Sequence, residues 1–307
     1  MTWLYLAIAS YFILAAVNIT DSFLLKKVVN DERVYTFIIG VLGLLVVIAT
    51  PFADFSKITA GGFFLDLFAG VMFAFALILF FSALRNGEAS VVVPFIGGGV
   101  PIVVTIGSWI FLGEHFSGPT LLGIISLLIG GVVMTLMPKQ TRHWWNFFQK
   151  ERPLGVGRAI TSIILFAVFF IITKHVFDTQ GFLGPFIIAR IGTFLGIVWY
   201  LSDNTFRKHL RKFVKKTLSS SSYVYYINQF FGALGFLGLN LAIALHSVTV
   251  VNALQGIQYV FVLIMASVLT LKYPKLFNEN ISKKVMLEKG IAVILIAVGL
   301  GLVAFNQ

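Results

Sequence analysis

The chain has 307 residues, of which 58% are hydrophobic and 11% charged, and its mean hydropathy is +0.95. A soluble globular domain carries about 25% charged residues, so this composition indicates an integral membrane protein. The net charge of +11 would suit nucleic acid, but the basic residues lie in short loops between apolar runs. We therefore expect no nucleic-acid partner. The chain has no cysteine, which excludes disulfides and thiolate chemistry.

Ten apolar runs along the chain are of a length that can cross the roughly 30 Å hydrocarbon layer of a bilayer as a helix. The first run lacks the basic start of a signal peptide, and we expect it to be retained as a spanning helix. The sequence thus predicts an all-α polytopic membrane protein. The predicted spans lie at 3–24, 34–50, 62–84, 90–112, 119–137, 159–177, 183–201, 223–245, 248–271 and 288–305.

The distribution of lysine and arginine predicts the orientation of these spans. Loops that follow odd-numbered spans carry twenty of the 23 basic residues. The other loops carry only Lys57 and Lys174, and Arg190 lies inside the seventh span. The positive-inside rule then places the odd loops in the cytoplasm and both termini outside the plasma (inner) membrane.

The two halves of the chain resemble each other weakly. Phe37–Ile39 followed by Gly43 matches Phe186–Ile188 followed by Gly192. We predict repeats at 1–138 and 159–307, joined by a basic interfacial linker at 139–158. Because five spans per repeat is an odd number, the two repeats would be inverted relative to each other. Inverted repeats with a site between them are typical of secondary transporters.

The fourth span contains helix-disrupting residues in its middle. Prolines lack an N–H group and clash with the preceding turn, while glycines leave the backbone soft. In a bilayer, a broken helix is tolerated where protein or a water-filled cavity receives its polar groups. The pattern predicts a hinge beside a cavity, a close contact between helices, or both. The residues concerned are Pro94, Gly97, Gly98, Gly99 and Pro101.

Residues 83–137 resemble the EamA-type family of the drug/metabolite transporter superfamily. The likeness is carried by Ala83-Leu84, Ala89-Ser90, Pro94, Pro101, Phe111–Glu114, Ser117 and the glycines Gly123, Gly130 and Gly131. The second half departs from the pattern, since Tyr273–Lys275 stands where Gly113-Glu114 would repeat and Gln255 stands near the equivalent of Pro94. The resemblance implies a secondary carrier, often an exporter, of amino acids, other small metabolites or drugs. Many characterised members have cytoplasmic termini, whereas the charge distribution here predicts the reverse.

Polar residues within the predicted spans are candidates for binding a small-molecule substrate. Arg190 inside a bilayer needs a partner, which could be a substrate carboxylate or groups of the protein itself. In the ninth span, amides at helical spacing could line a cavity or bond neighbouring helices. Trp109 could stack on an aromatic ligand or simply pack. The predicted substrate-binding residues are Arg190, Asn252, Gln255, Gln258, Tyr259, Asn18 and Trp109.

Protons are a possible coupling ion, which would require a titratable group in the membrane. The candidates lie near predicted helix ends, and we expect most of them to be interfacial charges. They are Asp21, Asp66, Glu88, His175, Asp178 and His246. Glu114 lies in a turn, where we expect it to cap a helix or clasp a loop.

The sequence gives less support to functions other than secondary transport. No nucleophile motif, metal-ligand spacing or phosphate-binding loop points to an enzyme, to a cofactor or metal, or to transport driven by ATP. A flippase or multidrug-type carrier of lipid-linked or amphipathic cargo is the main alternative. A non-transporting membrane scaffold is a further one. The sequence leaves monomer and homodimer open.

Overall fold

The structure is a computed structural model that describes residues 1–27, 31–86, 89–136, 153–217, 223–272 and 283–305. All regular secondary structure in these ranges is helical. Each predicted span coincides with one helix or with two consecutive ones. In chain order the α-helices are α1 (Thr2–Lys27), α2 (Glu32–Gly43), α3 (Ala60–Asn86), α4 (Ala89–Leu112), α5 (Gly118–Leu136), α6 (Pro153–Gln180), α7 (Leu183–Val198), α8 (Asn204–Thr217), α9 (Tyr223–Leu245), α10 (Val248–Ala253), α11 (Gln255–Lys272) and α12 (Lys283–Phe305).

Two 3₁₀ segments, Leu44–Phe52 and Trp199–Ser202, continue α2 and α7. Within the described residues, seven helical segments are long and apolar enough to cross a membrane, which is consistent with a multi-pass membrane protein. Three shorter apolar stretches lie at the positions of the fifth, ninth and tenth predicted spans. They are Gly118–Gly131, Val248–Val262 and Gly290–Phe305.

The helices α3 and α7 pack so closely that their backbones touch. A Cβ added to Gly192 would overlap the carbonyl oxygen of Leu67, and one added to Gly70 would overlap that of Ala189. The helix α6 packs on the same α3 and also on α4, while α1 packs on α9 and α11. The helices α5 and α12 form a further pair. Small residues at these contacts allow the approach, as is usual between membrane helices.

The predicted interruption of the fourth span is wrong, because α4 is one continuous helix. Gly97 and Gly99 lie at contacts between α4 and neighbouring helices. A Cβ on Gly99 would lie 2.5 Å from Ile163 Cδ1 of α6, and one on Gly97 would overlap the hydroxyl of Tyr259 on α11. Thr105 Oγ1 also donates to the Pro101 carbonyl over 2.7 Å. The contacts on Gly97 and Gly99 correspond to the helix–helix alternative for this stretch.

The ninth span is interrupted by a turn. The helix α10 ends at Ala253 and α11 begins at Gln255, with Leu254 in a turn between them. Carbonyls in the last turn of a helix lack partners within it, and here the Val251 carbonyl accepts a hydrogen bond from the Tyr11 hydroxyl of α1 over 2.8 Å. A side chain from another helix thus donates a hydrogen bond to a backbone carbonyl at the break.

The predicted basic linker at 139–158 lies mostly outside the described residues, and its last part belongs to α6, which begins at Pro153. The basic stretch after the seventh span is the helix α8 rather than a loop. Its apolar side chains Phe206 and Phe213 are buried, whereas Lys208 and Lys212 are exposed. The helix α8 is therefore docked on the other helices through its apolar face.

Ion pairs collect several predicted odd loops at one end of the molecule, which we call the basic end. Arg33 pairs with Asp203 (Nη1 to Oδ2, 2.9 Å) and Arg85 pairs with Glu32 (Nη1 to Oε2, 2.7 Å). His209 Nδ1 lies 2.7 Å from Asp31 Oδ2. At the opposite end of the molecule the rings of Trp3 and His246 stack with centroids 4.1 Å apart.

Candidate functional site

Arg190 is a buried cation among phenylalanine rings. It lies well inside the span Leu183–Ser202, and only 7% of it is exposed. Its Cζ is 4.5–5.9 Å from the centroids of four rings, which come from α9, α3, α7 and α6. They belong to Phe236 (4.5 Å), Phe73 (4.7 Å), Phe186 (5.1 Å) and Phe169 (5.9 Å).

The rings stabilise the positive charge, but two of the three guanidinium nitrogens have no acceptor in the described part of the chain. Each cation–π contact contributes about 0.5–2 kcal/mol. Within the described residues Arg190 makes no ion pair, and its buried Nε and Nη2 have no hydrogen-bond partner. An unmade bond from a buried charged donor is costly. Unpaired donors of this kind are the groups that a planar carboxylate engages in two-point contact with a guanidinium.

Close helix packing sets the position of Arg190. Two contacts join α7 to α3 next to the arginine in the chain. Ala189, just before Arg190, packs on Gly70, and Gly192, just after it, packs on Leu67. On α2, Gly43 lies beside the stem of the arginine, and a Cβ there would make an ordinary contact 3.6 Å from Arg190 Cδ. Larger side chains at Gly70 and Gly192 would force α3 and α7 apart and so move the guanidinium away from the ring of Phe73 on α3.

A second group of predicted residues meets where α4 crosses α11. Gly97 of α4 faces Tyr259, and a Cβ on it would also lie 3.0 Å from Gln255 Nε2. Tyr259 is buried and its hydroxyl has no hydrogen-bond partner within the described residues, while Gln255 is half-buried. Gln258, on the same helix, is buried as well. The crossing thus offers a free hydroxyl and an amide between the two predicted repeats.

The other predicted residues lie apart from these groups. Asn252 precedes the break in the ninth span, and its Nδ2 donates to the Val248 carbonyl of its own helix over 2.9 Å. Asn18 is half-buried on α1. Trp109 is 61% exposed, and Gly107, on the opposite face of α4, packs against Ile171 of α6. Gly98 is half-buried, and Pro94 lies within α4, as does the buried Pro101.

A buried polar group that the sequence did not reveal surrounds Asp21. The Tyr35 hydroxyl of α2 donates to Asp21 Oδ1, and Asn228 Nδ2 of α9 donates to the same oxygen over 2.6 Å. Gln229 Nε2 donates to the Tyr35 oxygen over 3.0 Å, and the ring of Tyr225 packs edge-on against Tyr35. We call these five residues the Asp21 cluster. No local pattern marks it, because Asp21 and Asn228 are 207 positions apart.

Two carboxylates that we expected at the interface are buried instead. Asp21 is 9% exposed and Asp66 is 2% exposed. Asp66 Oδ2 has no hydrogen-bond partner among the described residues. Glu88 lies outside the described residues, whereas Asp178 is exposed and pairs with Lys174 over 2.7 Å.

Glu114 clasps the start of α10, as its turn position predicts. Its Oε2 accepts from Ser247 Oγ (2.9 Å) and Thr249 Oγ1 (2.6 Å), and its Oε1 accepts from the Val248 N–H (3.1 Å). A carboxylate at a helix N-terminus satisfies donors that lack partners within the helix. This residue has a structural role at the end of the molecule opposite the basic end.

The chain matches no family model and no curated protein. One solved structure, described only as "Crystal structure of protein", aligns with 98% of this chain and 96% of its own, with a TM-score of 0.62 and 13% sequence identity. The alignment shows that the two chains share a fold over their whole length. At this identity the likeness does not extend to function.

Proposed function

We propose that this chain is a secondary active transporter of the EamA type that exports small metabolites such as amino acids. In this proposal ten spans form two inverted five-helix repeats, and the substrate crosses by alternating access between them. The basic end lies in the cytoplasm, with both termini outside the plasma membrane. Protons are the candidate coupling ion.

The pattern of helix contacts supports an inverted repeat. Under the proposal α1 corresponds to α6, α3 to α9, and α4 to the pair α10–α11. The contacts of α1 with α9 and α11 then match those of α6 with α3 and α4. The last helices of the repeats pack reciprocally, because a Cβ on Gly123 would lie 3.0 Å from the Gly299 oxygen and one on Gly299 2.8 Å from the Gly123 oxygen.

The single observation that carries the proposal is the buried guanidinium of Arg190, two nitrogens of which have no acceptor among the described residues. A structural arginine would be expected to have its acceptors within the protein. Here a substrate carboxylate can supply them, and the surrounding rings suit an apolar side chain of the same substrate. Carboxylates with an apolar part, as in many amino acids, are therefore the favoured cargo.

Counterflow in proteoliposomes with a panel of labelled amino acids tests this function. We expect Arg190→Ala to weaken binding by about 1.5–3 kcal/mol, or about ten- to a hundredfold. Arg190→Lys keeps the charge without the fork of donors and should fall between Arg190→Ala and the wild type. Gln255→Ala should also reduce uptake, whereas the exposed Arg207→Ala is the matched control. Full uptake by folded Arg190→Ala protein would refute the assigned role.

A groove on the outer side of α1 and α9 favours a second candidate, a carrier of amphipathic or lipid-linked cargo. It has a volume of about 300 Å³, and Thr20 and Asn228 are the polar residues among its mostly apolar lining. Pockets of this size hold small ligands. The proteoliposomes above also test this candidate, since a labelled lipid that changes leaflet where no amino acid is exchanged would favour it.

A further inference from the structure

The Asp21 cluster joins parts of both proposed repeats through one carboxyl group. Asp21 lies on α1 and Tyr35 on α2, whereas Asn228 and Gln229 lie on α9. Both donors to the carboxyl group, the Tyr35 hydroxyl and Asn228 Nδ2, meet the same oxygen, Oδ1. This geometry leaves Oδ2 as the oxygen that can carry a proton.

Within the described residues no cation faces this carboxyl group. From α2 it faces Tyr35, and from α9 it faces Tyr225, Asn228 and Gln229. The next layer is apolar, since Phe81 of α3 packs on Tyr35 and Phe213 of α8 packs on Tyr225. Among the described residues, charged groups at the basic end pair with one another, including Asp31 with Arg33 and His209.

A carboxylate buried without a cation is destabilised relative to its neutral form. A neutral carboxyl group fits the observed bonds, because its carbonyl oxygen Oδ1 accepts from both donors while Oδ2 holds the proton. We propose that Asp21 is a proton-binding site that takes up a proton when α1, α2 and α9 close around it and releases it when they separate.

The packing of α2 and α9 indicates where that separation would occur. These two helices touch at few places besides the Asp21 cluster. In the proposed repeat they correspond to α7 and α3, whose backbones touch at Gly70 and Gly192. Separating α2 from α9 therefore disrupts little packing and admits water to Asp21. If the proposed transport function holds, on which this step rests, proton release accompanies one conformational step of the cycle.

Infrared spectroscopy of protein in nanodiscs tests proton binding without any substrate. The C=O stretch of a protonated carboxyl group is separate from that of a carboxylate, and ¹³C labelling of aspartate identifies it. We expect the wild type near neutral pH to show a labelled band that Asp21→Asn loses. Asp66→Asn separates the contribution of the other buried carboxyl group, and the exposed Asp54→Asn is the matched control. Tyr35→Phe removes one donor to Oδ1 and should shift the frequency of the Asp21 band. This variant provides the test if Asp21→Asn fails to fold.

A spectrum unchanged in Asp21→Asn, or a band in Tyr35→Phe at the wild-type frequency, would overturn the proposal. The counterflow assay adds a second reading under an imposed pH gradient. We expect the gradient to stimulate wild-type uptake severalfold, and we expect Asp21→Asn to lose that stimulation. Wild-type exchange that ignores the gradient would refute coupling while leaving the transport function intact. Absence of exchange would count against the transport function alone, since the infrared result stands by itself.

Discussion

Gly97 lies where α4 crosses α11, and the atoms around it leave no room for a side chain. A Cβ there would overlap the Tyr259 hydroxyl and lie 3.1 Å from Tyr259 Cζ. Because Tyr259 is itself buried, the tyrosine cannot swing into open space. This glycine therefore sets the distance between two helices that belong to different proposed repeats.

We expect Gly97→Ala to destabilise the protein by about 1–3 kcal/mol, the usual cost of overfilling a packed contact. Thermal unfolding in detergent measures the effect. The double variant Gly97→Ala with Tyr259→Phe should recover part of the loss, since phenylalanine lacks the overlapping oxygen. Gly157→Ala is the matched control, because a Cβ on that helical glycine meets no atom of the described residues within 4 Å. Equal stability of the two single variants would contradict this interpretation.

At the scale of elements, α8 is held to the start of α2 by Asp31. The carboxylate accepts from Arg33 Nη2 over 3.0 Å and lies 2.7 Å from His209 Nδ1 on α8. Burial by itself would raise the pKa of Asp31. The hydrogen bonds from Arg33 and His209 have the larger combined effect, so the pKa is lowered from 3.8 to about 2. A carboxyl group with a depressed pKa stabilises the folded arrangement only while it is ionised.

The docking of α8 should therefore be fully stable above pH 3.8 and should weaken as the pH falls toward about 2. Spin labels at Lys212→Cys on α8 and Val224→Cys on α9 report this as a broadened distance distribution in pulsed electron paramagnetic resonance. In Asp31→Asn the distance distribution should already be broad above pH 3.8. Lowering the pH should then broaden it only a little further. A smaller response should remain, because the Thr205 N–H and Arg33 also lower the pKa of Asp203. A wild-type distribution that stays narrow down to pH 2 would rule out this role.

At the scale of the whole molecule, the ion pairs bring the basic residues of several loops to one end. The positive-inside rule predicts that this end faces the cytoplasm. Because the chain has no cysteine, single cysteines report sidedness without a background. A membrane-impermeant thiol reagent on intact cells should label His115→Cys and leave Lys212→Cys unlabelled until the cells are opened. The reverse pattern would place both termini in the cytoplasm and would make the charge distribution an exception to the rule.

Helix positions could be predicted well because hydropathy is a local property of the chain. The ten apolar runs all coincide with helices, and the clasp formed by Glu114 follows from its place in a turn. The breaks could not be predicted in the same way. Pro94 and Pro101 predict a broken helix, yet α4 is continuous where it packs on α6 and α11. The actual break at Leu254 has no proline near it in the sequence. The high charge of α8 predicts a loop, whereas its apolar side chains Phe206 and Phe213 are buried on one face of a helix.

Composition and the distribution of charge along the chain were enough to predict the apolar helical segments, which are consistent with a multi-pass membrane protein, and the basic stretches between them. Only the tertiary structure decided which polar residues meet. The rings around Arg190 come from four helices, and the partners of Asp21 come from α2 and α9. The physical reason is that hydropathy acts on each segment separately. Contacts between buried side chains depend on which helix faces pack together, and that choice is made by close packing across the whole molecule.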